Sequence, residues 1–389
     1  MPRIPVENCC GCTACMNICP KKAIVMTEDH EGFLYPSVKE ALCIQCGMCE
    51  KVCPVSHPPK INEHWEYGAV VQNQRKDVLK ESTSGGFIDA LCEDVVVRQR
   101  GFVVGVAFDE DFLPVHKIAE TAEQTVAFRN SKYAQSILGE TFVKVKSLLQ
   151  KEKTVLFIGT PCQVAGLKSY LQQDYTRLIT VDLVCRSIPS PKLWKKYLEW
   201  QQNRYGSGIV SVACRRKTYG YHSGALEIEF TNGRRYAGSN RVDYFMKCFH
   251  SDLCSRPSCY HCSFKTVHRC SDFTVFDSWN PFAVTEGAVC DNDSGYSNVI
   301  VHTNRGKQML EQLKQLDIVD ADVEKMFVYT GGMERKSVTR KPEREELFGD
   351  LETLGFEKTM KKYVRVTVFD RMIETAKPLR YALKKAVRK

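Results

Sequence analysis

Apolar and polar positions alternate in type along most of this 389-residue chain. "YGAVVQ" at 67–72 and "GFVVGVAF" at 101–108 are short apolar runs of strand length. "VLFIG" at 155–159 and "RLITVDLV" at 177–184 read the same way. Between and after them, "GGFIDALCEDVVVRQ" at 85–99, "PCQVAGLKSYL" at 161–171 and "SPKLWKKYLEWQQNRY" at 190–205 have helical spacing. Pro161 stands near the first turn of its helix, and Ser190 is the expected cap of the next. Strands alternating with helices specify an α/β domain. Residues 207–237 read as antiparallel strands, and 340–389 as helical and charged, which makes the whole chain α+β / α/β. "SHPPKINEH" at 56–64, with two prolines and no periodicity, reads as a linker.

The first 56 residues lack this alternation and are dominated by cysteine. "CCGCTACMNICP" at 9–20 spaces Cys9, Cys12, Cys15 and Cys19 as C-x2-C-x2-C-x3-C, followed by Pro20. The run returns as "CIQCGMCEKVCP", with Cys43, Cys46, Cys49 and Cys53 before Pro54. This is the bacterial two-cluster ferredoxin spacing, in which the fourth cysteine of each run ligates the other cluster. It assigns one 4Fe–4S cluster to Cys9, Cys12, Cys15 and Cys53, and a second to Cys43, Cys46, Cys49 and Cys19. Tetrahedral zinc has no use for a doubled crossing pattern. Cys10 stands outside the spacing. A disulfide framework suits small secreted chains, whereas here the 19 cysteines are an odd number. "MPRIPVENCC" has no apolar central run of a signal peptide, so the expected location is the reducing cytoplasm.

Charge changes the picture only at the end of the chain. The net charge is +9, yet residues 1–60 are neutral, and residues 365–389 carry eight basic against two acidic residues. No basic pattern interleaved with aromatics occurs, so no nucleic-acid partner is expected. No apolar run approaches bilayer length. In the tail, Pro378 can open a helix. Leu379, Ala382, Leu383, Ala386 and Val387 then share one face, and Arg380, Lys384, Lys385, Arg388 and Lys389 take the others. The tail has two readings: a solvated helix end, or a basic amphipathic segment resting peripherally on anionic lipid at the inner membrane face.

Candidate chemistry sits at corners of the α/β part. "STSGGFIDAL" at 82–91 puts Thr83, Ser84, Gly85 and Gly86 before a helix, which is either a phosphate cradle or a plain turn. "FIGTPCQVAGL" puts Cys162 at a helix start, which favours thiolate. "DLVCRSIPSPKLW" ends a strand at Cys185, at the sheet edge where α/β sites collect. Residues 253–279 add Cys254, Cys259, Cys262 and Cys270, and the C-x2-C pair suits zinc, iron–sulfur or redox chemistry. "YGYHSG" at 219–224 offers Tyr221 and His222 as proton donors, or as inert surface residues.

Five stretches in this order carry a family resemblance: "STSGGF", "RNSKYAQS" at 129–136, "GTPCQVAGL", "LVCRSIPSPKLW" and "RPSCYHCSFK". Together with the cysteine runs, they make residues 1 to about 280 resemble the coenzyme F420 hydrogenase/dehydrogenase beta-subunit family with an N-terminal two-cluster ferredoxin domain. The resemblance implies FAD beside a third 4Fe–4S cluster. It implies FAD contacts from Thr83, Ser84, Gly85, Gly86, Thr160 and Gln163, with Lys132 at the flavin or its phosphates. It implies a third cluster on Cys162, Cys185, Cys259 and Cys262, against a compact rival set of Cys254, Cys259, Cys262 and Cys270. The chain departs from the family pattern at Phe276–Asn280 and at Arg186-Ser187. The implied layout is a ferredoxin domain at 1–56, a linker at 57–65, an FAD-binding α/β domain in two parts, 66–150 and 151–330, and a helical basic segment at 331–389. The implied function is an iron–sulfur flavoprotein oxidoreductase. It would take electrons from a donor such as ferredoxin or a redox subunit and pass them to an organic substrate. The alternatives are an F420-oxidising or F420-reducing subunit of a larger complex, and an electron-transfer adaptor without a substrate.

The three proposed sets give an iron count. Anaerobically reconstituted protein should hold about 12 iron and about 12 sulfide per chain. Cys43→Ala should remove about four iron and Cys10→Ala none. An iron assay near eight for the intact chain would eliminate the third set.

Overall fold

The computed structural model describes residues 6–387, apart from the side chains of Lys384, Lys385 and Val387. Arg388 and Lys389, named above for the tail, lie outside the described residues together with those three side chains. In chain order the strands are β1 Ile24–Glu28, β2 Leu34–Val38, β3 Tyr67–Asn73, β4 Phe102–Phe108, β5 Pro114–Ala119, β6 Val155–Gly159 and β7 Leu178–Leu183. They continue as β8 Ile209–Arg216, β9 Ala225–Phe230, β10 Arg235–Gly238, β11 Phe273–Asp277, β12 Ser297–Val301 and β13 Leu316–Asp320.

A mixed eight-stranded sheet in the order β13-β3-β12-β11-β7-β6-β4-β5 forms the body. Its centre, β11-β7-β6-β4, is parallel. Antiparallel strands extend it on both sides. All five residues of β6 are buried, which is why it reads as an uninterrupted apolar run. Strands β8–β10 form the separate antiparallel sheet that the pattern at 207–237 predicts. The helices Pro161–Leu171 and Pro191–Tyr205 lie where their spacing places them, and the Ser190 hydroxyl accepts from Leu193 N at 3.0 Å. Strands β5, β11, β12 and β13 are not anticipated, because their residues sit among cysteine-rich and polar stretches that mask the period. Pro378 does not open a helix. It lies inside a 20-residue helix, Val368–Val387, that begins ten residues earlier. No described helix is long and apolar enough to cross a membrane.

The cysteine-rich module is built into this body. Cys12, Ala14 and Val52 share one apolar cluster with Val104, Phe157 and Leu167. The helix Pro161–Leu171 presents Gly166 to the module, where a Cβ would lie 2.7 Å from the Cys12 Cβ. The tip of the β1–β2 hairpin seats on the first turn of the helix Pro191–Tyr205. There Gly32, at φ 87°, leaves no room for a side chain: a Cβ would stand 2.5 Å from the Lys192 Cβ. Beside it, Glu31 and Arg344 form a bidentate pair, Nη1 to Oε1 at 2.6 Å and Nη2 to Oε2, with side chains 4% and 1% exposed. The supposed linker is tied down as well, since Asn62 Nδ2 donates to Arg269 O at 2.8 Å and to Ser271 O at 3.0 Å.

That ion pair bears directly on stability. Arg344→Met leaves a carboxylate buried without its partner and should cost about 3–5 kcal/mol in chemical denaturation. Adding Glu31→Leu removes the orphan charge and should recover most of the loss.

Candidate active site and thiol clusters

Cys9, Cys12, Cys15 and Cys53 line one cavity of about 350 Å3, together with Tyr35, Met26 and Val55. The fourth thiol comes from the second run, as the crossed spacing requires. Burial, with Cys9 and Cys53 nearby, pushes the Cys15 thiol up to about 12. Burial also raises Cys53. Among the described residues no three His, Cys, Asp or Glu side chains are arranged to hold a metal ion. These four instead surround a space, the arrangement that a multi-iron group needs, and such a group ionises the thiols it binds. The other set is more open: Cys46 is exposed, while Cys19, Cys43 and Cys49 are partly so. The Cys19 Sγ accepts from Ala23 N at 3.3 Å.

The strand-end cysteines meet the C-x2-C pair. Burial and then Cys259 push Cys185 well above the ordinary thiol range, with Cys162 and Cys262 adding to the effect. Burial, Cys262 and Cys162 raise Cys259 to about 12. Cys262 is raised by burial and by Cys162. The four thiols therefore lie within range of one another's charge. Cys254 and Cys270 are turned elsewhere. Cys254 is fully buried beside the free thiol of Cys248, and Cys270 lies near Asp182 and Lys168. Cys162 stands at the first turn of the helix Pro161–Leu171. Its contact with Cys10 and its burial push the thiol well up.

Two residues that sequence reading passed over join the sets. Cys10, outside the ligand spacing, lies against both Cys12 and Cys162. Arg256, only 1% exposed, donates from Nε to Cys9 O at 2.7 Å, from Nη1 to Gln135 Oε1 at 2.7 Å and from Nη2 to Leu34 O at 3.0 Å. Its guanidinium stands 4.1 Å from the centre of the Tyr35 ring. The "RPSC" stretch was the available signal, but it reveals nothing about a partner almost 250 residues away.

A second cavity, of about 480 Å3, opens at the C-terminal ends of the parallel strands. One wall is the small-residue corner. Thr83 Oγ1 lies 3.1 Å from Ser131 Oγ, and Ser84 Oγ lies 2.8 Å from Ser297 Oγ. Gly86 lines the cavity at the start of the helix Phe87–Glu93. Gly85 stands behind this wall. Its N–H donates to Ser297 Oγ at 2.9 Å, and a Cβ would lie 2.3 Å from Val71 O. Lys132 lines the cavity, and burial draws its amine down to about 7. The Nζ donates to the carbonyls of Ala127, Arg129 and Asn130 at 2.8, 2.6 and 3.1 Å. Thr160 and Gln163 form a capping box at the cavity edge, with Thr160 N donating to Gln163 Oε1 at 2.9 Å. Gln163 Nε2 donates to Ser136 Oγ at 2.9 Å. Cys185 also lines the cavity.

The opposite wall is polar and aromatic. Asp277 accepts from Arg215 Nη1 at 2.5 Å and from the Tyr221 hydroxyl at 2.9 Å. Arg215 lies over Trp279 at 4.7 Å, and the Tyr221 and Trp279 rings stack at 5.0 Å. Arg215 Nη2 is buried with no protein partner. Burial and Asp277 hold the Tyr221 phenol well above its ordinary range, so its proton stays on and points at Asp277. His222 Nε2 lies 2.5 Å from Asp291 Oδ2. Arg215, Asp277 and Trp279 were not singled out, although Asp277 and Trp279 occupy the stretch where the chain departs from the family pattern.

Residues 152–325 match the family model for the C terminus of the coenzyme F420 hydrogenase/dehydrogenase beta subunit, and residues 8–57 match a 4Fe–4S dicluster domain. A coenzyme F420-dependent sulfite reductase from Methanocaldococcus jannaschii is 23% identical over 359 residues, or 87% of this chain. The chain spans about half of that protein, 51% of its length. A 7Fe ferredoxin from Hydrogenibacillus schlegelii is 37% identical over 71 residues, covering 17% of this chain and 85% of the ferredoxin. Among solved structures, a chain of the F420-reducing NiFe hydrogenase complex from Methanosarcina barkeri aligns over 77% of this chain and 91% of its own length, at 17% identity and a TM-score of 0.45. With the doubled cysteine run at one end and the strand-end motifs around the cavity, this chain carries the C-terminal region of the coenzyme F420 hydrogenase/dehydrogenase beta-subunit family over residues 152–325, with a 4Fe–4S dicluster domain at 8–57 ahead of it.

Proposed function

We propose that this chain is an iron–sulfur flavoprotein oxidoreductase, with two 4Fe–4S clusters in the N-terminal module, a third on Cys162, Cys185, Cys259 and Cys262, and FAD in the larger cavity. The observation that carries this reading is the position of Cys185, which lines the cavity and lies within charge range of the other three thiols. The cavity volume lies within the range of small-molecule and cofactor sites. When bound, the clusters supply one-electron transfer and the flavin pairs electrons for an organic substrate.

The chain's own residues have separable parts in this scheme. Thr83, Ser84, Gly86, Thr160 and Lys132 would hold FAD, with Gly85 and Gln163 fixing that wall from behind. Lys132 orders the 127–130 loop through its three carbonyl contacts and sets its amine in the cavity wall. Asp277 holds Arg215 and Tyr221 in place on the substrate side. His222 is the better placed of the two candidate proton donors, because the Tyr221 proton is committed to Asp277 while Asp291 steadies the imidazole. The surface around Cys46, where Leu42 and Ile44 are exposed, suits a redox partner such as ferredoxin or another subunit. A pure adaptor has no use for the cavity.

The relative named as an F420-dependent sulfite reductase, aligned over most of this chain, favours a second reading in which the organic substrate is coenzyme F420.

Reconstituted Cys185→Ser should hold about eight iron in place of about 12, whereas Cys254→Ser should match the intact chain. Denatured protein should release about one FAD per chain. Failure of both assays removes the flavoprotein reading. Anaerobic mixing with reduced F420 then separates the substrates: rapid appearance of the visible band of oxidised F420 supports F420, and reduction by dithionite alone points to a different organic substrate.

A further inference from the structure

The last helix is amphipathic in the reverse of the usual sense. A surface helix ordinarily lays its apolar stripe on the core and turns its charges to water. In the helix Val368–Val387 the side chains bonded to the rest of the protein are polar, and among the helix's large aliphatic residues whose side chains are described only Ile373 is partly buried. Asp370 pairs with Arg241 at 3.4 Å and Lys247 at 3.2 Å. Glu374 accepts from Ser239 N at 2.9 Å and from Ser239 Oγ at 2.7 Å, and pairs with Lys377 at 2.9 Å. The Tyr381 ring meets Tyr219 edge-on. These positions fall within an arc of roughly 60° at ~100° per residue.

The opposite arc, roughly 100° wide, carries Val368, Phe369, Met372, Leu379 and Leu383. These five side chains are 60–76% exposed. Arg380 borders the arc on one side, Arg371 stands roughly 60° beyond its other edge, and both are exposed. The helix's two carboxylates, Asp370 and Glu374, are turned inward and paired, so its exposed charges among the described residues are basic. An exposed apolar stripe edged by cations, with its acids withdrawn, is the pattern of a helix lying in a lipid interface. A second protein of ordinary surface would leave these arginines without a matching field, whereas anionic headgroups supply one.

We propose that the outward face of Val368–Val387 docks this protein on a membrane rich in anionic lipid, with Phe369, Met372, Leu379 and Leu383 entering the acyl boundary and Arg371 and Arg380 at the headgroups. The proposal is independent of the redox reading, because none of these residues lines either cavity.

The test uses the full chain, reconstituted anaerobically, in vesicle sedimentation. The probes are phosphatidylcholine vesicles and vesicles of phosphatidylcholine with phosphatidylglycerol. Binding should be at least about tenfold stronger to the anionic vesicles and should fall as salt is raised. Arg371→Gln and Arg380→Gln should each weaken it about fivefold. The double variant Phe369→Ser/Leu379→Ser should lose binding to both kinds of vesicle while keeping its melting temperature and iron content, since these side chains are 66% and 67% exposed. Equal or absent binding to the two vesicle types at low salt overturns the proposal. So does undiminished binding by the double serine variant. A concentration-dependent dimer that the serine substitutions dissolve, in protein that ignores vesicles, would assign the face to a second copy instead.

Discussion

The arrangement of this molecule depends on one buried cation. Arg256 is almost wholly removed from water, and a guanidinium in that position is tolerated only when its donors are matched. Its three partners come from three regions: Cys9 O in the first thiol loop, Leu34 O in β2, and Gln135 in the segment that carries Lys132. Arg256 itself stands three residues before Cys259. One side chain thus sets the first thiol loop, the cavity wall and the C-x2-C pair against one another. Its charge also opposes the upward shift of Cys162 and Cys259. Moving any of these regions would strand a donor in a dry interior, which explains why the N-terminal module shares a core with the sheet.

The sheet supplies the second constraint. Parallel strands end on the same side, so the loops after β6, β7 and β11 converge although long stretches of chain separate them. Cys162 follows β6, Cys185 follows β7, and Asp277 ends β11 with Trp279 just beyond. The thiol set and the polar wall consequently share one edge, with the larger cavity between them. Chemistry at the carboxyl ends of strands is the general habit of such sheets. Here the antiparallel strands β12, β3 and β13 extend the same edge, bringing Ser297 against the glycine corner at 84–85.

The two thiol regions differ in how they meet solvent. The set around Cys9 and Cys53 is enclosed, and the set around Cys43 and Cys46 faces outward. Cys10 lies between the enclosed set and Cys162, in contact with each side. Cys185, another strand-end thiol, lines the larger cavity. The local cysteine spacing implies neither the place of Cys10 nor that of Cys185.

Local pattern alone determined several elements of this protein. The five apolar residues of β6, the proline-led helices at 161 and 191, and the crossed cysteine runs were legible because each depends on neighbours a few residues apart. The set Cys162, Cys185, Cys259 and Cys262 comes from family resemblance, and no local spacing distinguishes it from the compact set. Beyond local pattern, β11 lies beside β7, with Phe273 opposite Val181, so that residues about 90 positions apart become neighbours. The same holds for Arg256 with Cys9, for Arg344 with Glu31, and for the inward turn of Asp370 and Glu374 that leaves an apolar stripe outside. The period of the last helix shows that it has two faces, but which face meets the protein depends on Arg241, Lys247 and Ser239, far away in sequence. Only the folded chain, where buried charges must find partners at a distance, decides such pairings.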